Sequence, residues 1–158
     1  MLRRIIFVLK RFAWFKRFNA KVTYELLAKN VPTKDWHFMN YGYVPIESEK
    51  SITLPADISI QKYQLQMYHY LPAKIPLEGK HLLEVGSGRG GGAKHIASFY
   101  NPAFYTAMDL AQGAVDLANQ IHLLPNLKFI QGNAESIPVK SDSVDVVVNV
   151  ESSHAYGS

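Results

Sequence analysis

The chain has 158 residues, enough for one ordinary domain with a sizeable core. Its composition, 47% hydrophobic and 19% charged, excludes a disordered chain, and the absence of cysteine excludes disulfides and thiolate metal sites. The net charge of +4 is confined to one end: residues 1–21 carry seven of the seventeen basic residues and no acid, so the remainder is acidic and no nucleic-acid partner is expected.

Met1 to Lys21 alternates short apolar runs with basic pairs. On a helix, Arg3, Arg4, Lys10, Arg11, Arg17 and Lys21 gather on one side. Ile5, Val8, Leu9, Phe12 and Phe15 lie on the other, with Trp14 and Lys16 less tidily placed. That pattern predicts a helix lying on an anionic membrane surface, or one packing its apolar face on the rest of the protein. Charges interrupt every apolar run before the roughly 18 residues a span requires, and no signal-peptide pattern is present. The expected location is the cytoplasm, at the inner face of a membrane where this segment docks. The helix continues through 22–34 as far as Pro32, giving an amino-terminal extension over 1–34.

An aromatic, turn-rich stretch follows, Trp36 to Pro45, then a polar linker from Glu47 to Thr53. A helix is predicted from an Asp57 N-cap through Ile60, Tyr63, Leu65, Met67 and Tyr70 to Pro72. Residues 35–79 thus form an aromatic lid and a linking helix. From residue 80 the pattern changes to alternating strands and helices. His81–Val85 is a buried strand, followed by glycines and an amphipathic run over Ala93–Tyr100. Phe104–Met108 is a second strand ending at Asp109, and Ala111–Ile121 is helical. Leu127–Ile130 is a third strand, and Val144–Val150 a fourth, apolar enough to be central. The alternation predicts a doubly wound, Rossmann-like α/β fold with a parallel sheet over 80–158.

Glu84-Val85-Gly86-Ser87-Gly88-Arg89-Gly90-Gly91-Gly92 sits where the first strand turns into a helix. Glycines there allow a tight turn and close approach of backbone to a ligand. The spacing satisfies both GxGxxG (Gly86, Gly88, Gly91) and GxGxG (Gly86, Gly88, Gly90), so it does not choose a cofactor. Glu84 favours a cationic group over a pyrophosphate, and so S-adenosyl-L-methionine over NAD. Asp109 is placed to accept hydrogen bonds from two ribose hydroxyls. Gly132-Asn133-Ala134-Glu135 forms a loop suited to an adenine edge. The six histidines (37, 69, 81, 95, 122 and 154) show no metal-ligand spacing, and no metal is expected.

These residues, with Ile137-Pro138 and Ser143-Val144-Asp145-Val146-Val147, resemble the class I S-adenosylmethionine-dependent methyltransferases. The wider string Phe38-Met39-Asn40-Tyr41-Gly42-Tyr43, with Tyr63–Leu71 and Asn149–His154, is similar to the bacterial phthiotriol dimycocerosate methyltransferase branch, which acts on lipids. The resemblance covers residues 36–158 and leaves the basic helix outside. It implies that Glu84, Gly86 and Gly88 hold the methionine moiety, with Gly90 also at the cofactor site, Asp109 the ribose, and Asn133 with Ala134 the adenine. The family usually carries Asp where Asn133 stands; Asn accepts through its carbonyl and also donates. Tyr41 and Tyr43 match an aromatic segment that closes over the cofactor.

Methyl transfer needs an aligned acceptor and, for a hydroxyl, removal of a proton. The loop after the fourth strand supplies His154 as candidate base, and Glu151 as a residue that orients substrate or helps bind cofactor. The expected function is methylation of a lipid-like acceptor. With four of about seven family strands, the chain is expected to be a fragment with its fourth strand left as an apolar edge. Two rival readings remain at this level: a non-catalytic, membrane-associated cofactor-binding module, and an NAD-binding oxidoreductase.

Overall fold

In the computed structural model, residue 9 and residues 11–31, 36–46 and 61–156 are described. Met1–Val8, Lys10, the linker Glu47–Thr53 and the Asp57 cap lie outside these residues. Among the described residues, four helices and four strands follow in chain order: α1 (Ala13–Asn30), α2 (Lys62–Tyr70), β1 (His81–Val85), α3 (Gly91–Phe99), β2 (Phe104–Asp109), α4 (Gln112–Ile121), β3 (Leu127–Gln131) and β4 (Val146–Val148). Short 3-10 turns cover 71–74 and 153–155.

The strands form one parallel sheet in the order β3-β2-β1-β4. The chain moves outward from β1 to β3 and then returns to the far side of β1. This creates a topological switch point between β1 and β4, where open α/β sheets bind ligands. β1 is inside the sheet, and its last four residues are all buried. Its alternating side chains feed two cores. Leu82 joins Tyr105, Ala107 and Phe129 beneath Leu65 and Tyr68 of α2, Ala93 and Ile96 of α3, and Val115 and Ala118 of α4. Leu83, Val85 and Met108 face the other way, covered by Ile130, Ala134, Val139, Val144 and Tyr156 rather than by a helix.

β4 is shorter than the predicted 144–150 and pairs only with β1, so among the described residues it is the apolar edge strand expected of this chain. Asp145 is drawn into a reciprocal contact with His81, its N–H on the His81 carbonyl and its Oδ2 on the His81 N–H, both at 2.8 Å. At the other end, Glu151 turns the backbone into the left-handed region (φ 51°), and the Asn149 side chain bonds to Tyr156. Val147 is 60% exposed, an apolar residue on an unpaired edge.

His122, just after α4, is buried between the glycine turn and β3. Its Nε2 lies 3.0 Å from the Arg89 carbonyl and its Nδ1 has no partner, so the neutral ring fits and a second N–H would have no acceptor. Burial pushes its pKa down to about 4. The unfolded chain therefore takes up this proton first, and the stability His122 contributes, complete above about pH 6.5, is lost as pH falls toward 4. Comparing denaturation midpoints with His122→Gln, which keeps a donor but does not titrate, should show the wild type losing about 2 kcal/mol relative to the variant between pH 7 and 5. Parallel profiles for the two proteins would rule this out.

Candidate functional site

A cleft with a cavity volume of about 110 Å³ opens at the carboxyl ends of β1, β2 and β4. Its floor is the turn after β1. The N–H groups of Gly86 and Ser87 both reach the Met108 carbonyl, extending the β1–β2 pairing past the strand. Gly86 has φ +81°, and a Cβ there would lie 2.3 Å from Cβ of Ser152. The turn therefore closes against the loop after β4, where Ser152 Oγ donates to the Val85 carbonyl at 2.9 Å. Gly86 and Gly88 line the cleft. Gly90 does not: it is the N-cap of α3 and packs against the Phe129 and His122 rings behind the cleft.

Asp109 ends β2 inside the cleft. Its Oδ2 accepts the Gly88 N–H at 2.8 Å and its Oδ1 the Ala111 N–H at 2.9 Å. Burial raises its pKa, and these backbone donors oppose the rise. Each oxygen keeps further acceptor capacity toward the cleft. Asn133 and Ala134 line the wall above β3, with Asn133 Oδ1 taking the Glu135 N–H.

Glu84 departs from the sequence reading. It is 0% exposed and is not among the cleft-lining residues; its oxygens accept the Tyr68 hydroxyl at 2.7 Å and the Tyr105 hydroxyl at 3.1 Å. Burial raises its pKa to about 7 despite both donors. Tyr68, which does line the cleft, thus stands between Glu84 and any ligand. The alternation of β1 explains the difference: Glu84 shares a face with Leu82, toward the helices.

Two segments roof the cleft. The stretch from residue 36 is tied down by Gln61, whose Oε1 accepts the His37 and Phe38 N–H groups while its Nε2 donates to the Phe38 carbonyl. The His37 carbonyl takes the Gly91 N–H at 3.1 Å, so the first N–H of α3 is already used. His37, Phe38, Met39 and Asn40 line the cleft, whereas Tyr41 and Tyr43 do not. Tyr41 is 92% exposed and only its N–H takes part, donating to Glu151 Oε2 at 2.8 Å; Tyr43 stacks on Tyr70. The second roof is α1, which brings Arg17, Ala20 and Tyr24 to the cleft. Arg17 pairs with Glu135, and Glu25 accepts the Gly113 N–H at the start of α4. The expectation that Arg17 shares an outward face with Arg11 and Lys21 is therefore corrected: its charge is taken by the cleft wall.

Of the two residues expected near the reacting group, Glu151 lines the cleft, and His154, the candidate base, is exposed in an adjoining groove against α1. Sequence reasoning missed Gln61, Tyr68, Ser152 and the inner face of α1. No local pattern marks them, since each acts across a long stretch of chain.

Among the described residues, the cleft lining carries Asp109, Glu135 and Glu151 against Arg17, a formal balance of two negative charges. A cleft at the switch point of a parallel sheet, floored by a glycine turn and with a carboxylate ending β2, defines a Rossmann-like cofactor-binding domain. Residues 82–157 match the family described as "Methyltransferase domain". It is 37% identical over 155 residues to Fatty-acid O-methyltransferase of Mycolicibacterium smegmatis, a match covering 92% of this chain and 55% of that protein. It is 36% identical over 135 residues to the Phthiotriol/phenolphthiotriol dimycocerosates methyltransferase of Mycobacterium leprae, covering 84% and 49%. In fold it is similar to geranyl diphosphate C-methyltransferase from Streptomyces coelicolor A3(2), whose structure contains S-adenosyl-L-homocysteine, with TM-score 0.63 and 14% identity over 85% of this chain and 53% of that one. The chain spans about half the length of the curated relatives it matches. The first of these matches leaves only about 13 residues of the chain outside it, so it takes in most of α1, which the sequence resemblance had placed outside.

Proposed function

We propose that this chain carries the cofactor half of an S-adenosylmethionine-dependent methyltransferase whose acceptor is lipid-like. The observation that carries the cofactor choice is the electrostatics of the cleft. Among the described residues three carboxylates and one guanidinium line it, and the α3 N-terminus, the usual seat of a pyrophosphate, spends its first N–H on the His37 carbonyl. Both features suit a cation and oppose NAD. The residues fit the group in a second way: Gly86 and Gly88 keep the floor free of side chains beside Asp109.

S-adenosylmethionine supplies a methyl carbon activated by its sulfonium. In this reading Asp109 accepts the ribose hydroxyls, and Asn133 with the Ala134 backbone reads the adenine edge. Gly86 and Gly88 border the methionine moiety, and Glu84 acts on it through Tyr68. Glu151, inside the cleft, is better placed than His154 to receive a proton from an acceptor hydroxyl; an acceptor carboxylate needs no base. The lipid class of the acceptor is supported by the names of the two curated relatives. An anionic membrane surface, engaged by the basic amino-terminal segment, is where such an acceptor is met. No helix among the described residues is long and apolar enough to cross a membrane.

The test is incorporation of labelled methyl from S-adenosylmethionine into fatty acids or long-chain diols by the full-length protein. Label in the lipid phase that disappears with Asp109→Ala supports the reading. A full-length protein that binds the cofactor but labels no lipid while labelling a water-soluble acceptor contradicts the lipid assignment.

A further inference from the structure

α1 is amphipathic in an unusual sense, because its apolar side faces solvent. Trp14, Phe18, Val22 and Leu26, spaced four residues apart, are 57%, 61%, 39% and 54% exposed. This i, i+4 repeat makes one continuous stripe about 18 Å long. Another side roofs the cleft, where Arg17 pairs with Glu135 and Tyr24 lies over the cavity, while Glu25, seven residues on from Phe18 and so beside the stripe, holds the start of α4. Arg11 and Lys21 are exposed on the same helix, within a 21-residue segment that carries seven positive charges and no negative one. An apolar stripe with a tryptophan at the end that lies in this all-basic segment, and a single acid, Glu25, spent on the Gly113 N–H, is complementary to an anionic bilayer rather than to a neutral protein face.

We propose that the outer face of α1 docks on an anionic lipid bilayer, and that this docking is coupled to retention of the cofactor, because the same helix roofs the cleft. The inference rests on the methyltransferase reading for the identity of the cofactor. Docking holds α1 in place; a held roof slows loss of the cofactor, and a bound cofactor in turn holds the helix in its docked position. Linkage makes the effect reciprocal: whatever factor the membrane adds to cofactor affinity, the cofactor adds to membrane affinity. A lipid acceptor and the cofactor would then meet only where the enzyme is on the membrane.

The experiment is co-sedimentation of this chain with vesicles of phosphatidylcholine and phosphatidylglycerol in equal parts, and of phosphatidylcholine alone, with and without S-adenosylmethionine. Calorimetric affinities for the cofactor are measured alongside. Binding is expected to the anionic vesicles only, and to strengthen about fivefold or more with cofactor. Phe18→Asp, or Leu26→Asp should the first variant fail to fold, is expected to abolish vesicle binding while leaving cofactor affinity in vesicle-free solution unchanged. Glu135→Gln, which releases Arg17, is expected to keep vesicle binding but lose the cofactor effect. Equal vesicle binding with and without cofactor, in a chain that binds cofactor, overturns the coupling. Vesicle binding that survives both aspartate variants, or concentration-dependent self-association that Phe18→Asp removes, overturns the docking surface. A chain that docks but binds no cofactor overturns the methyltransferase reading together with the coupling and leaves the docking face standing, so the failures are distinguishable.

Discussion

Asp109→Ala is expected to weaken S-adenosylmethionine binding about 100-fold, or about 2.7 kcal/mol, as for the loss of charge-assisted hydrogen bonds in a sheltered site. Two effects contribute. The carboxylate itself is removed from the ribose position at the end of β2. The Gly88 and Ala111 N–H groups also lose the oxygens that hold them, so the floor of the cleft loosens where the ligand meets it. Asp109→Asn separates the two. It keeps one acceptor and turns an N–H₂ toward a backbone donor, so its loss of affinity should approach that of alanine if orientation of the turn matters. Isothermal calorimetry on variants shown to be folded by circular dichroism checks this. An affinity unchanged by either substitution would place the ligand elsewhere.

The second large effect is on stability. Glu84→Ala leaves the Tyr68 and Tyr105 hydroxyls without their acceptor inside a core where both rings are buried. Each orphaned hydroxyl costs about 1–3 kcal/mol and the vacated volume adds to this. The total, about 3–5 kcal/mol, is a large part of the roughly 5–15 kcal/mol that holds an ordinary domain together. Glu84→Gln retains one acceptor and should cost less than half as much. The pH dependence carries a definite sign. Because burial raises the Glu84 pKa to about 7, the folded protein holds this proton over a range where the unfolded chain has lost it. The stabilisation is complete below about pH 4.5 and is lost as pH rises through 7. A cation in the cleft favours ionised Glu84, so cofactor affinity should rise with pH across the same range and binding should release protons. Denaturant midpoints of the three proteins at pH 5 and 8 check the first point, and calorimetry in two buffers of different ionisation enthalpy checks the second.

The sheet was legible in the sequence because its strands are short apolar runs ended by turn residues. The first three strands start where the pattern places them, and Asp109 stands at the end of β2 as expected. β4 stands at the edge expected for this chain, but it was read too long, because an apolar run does not mark where pairing with a neighbouring strand stops. The glycine turn was legible as a motif, but motif spacing does not say which glycine faces the ligand; Gly90 is needed for packing against Phe129 instead. Glu84 was read as facing a ligand from its place near the end of a strand, whereas strand alternation turns it into the helix-covered core. The roof was illegible for a different reason. Contacts such as Arg17 with Glu135, or Tyr41 with Glu151, join positions more than a hundred residues apart. No local periodicity encodes them. The helical pattern of α1 gave two faces but not which one the protein covers.

The most direct test of the central claim is calorimetric titration of this chain with S-adenosylmethionine and, separately, with NAD. Saturable binding of S-adenosylmethionine with no measurable affinity for NAD is the predicted result, since the described residues of the cleft lining are net negative and the first N–H of α3 is already taken. Preferential binding of NAD by the folded chain would contradict the account.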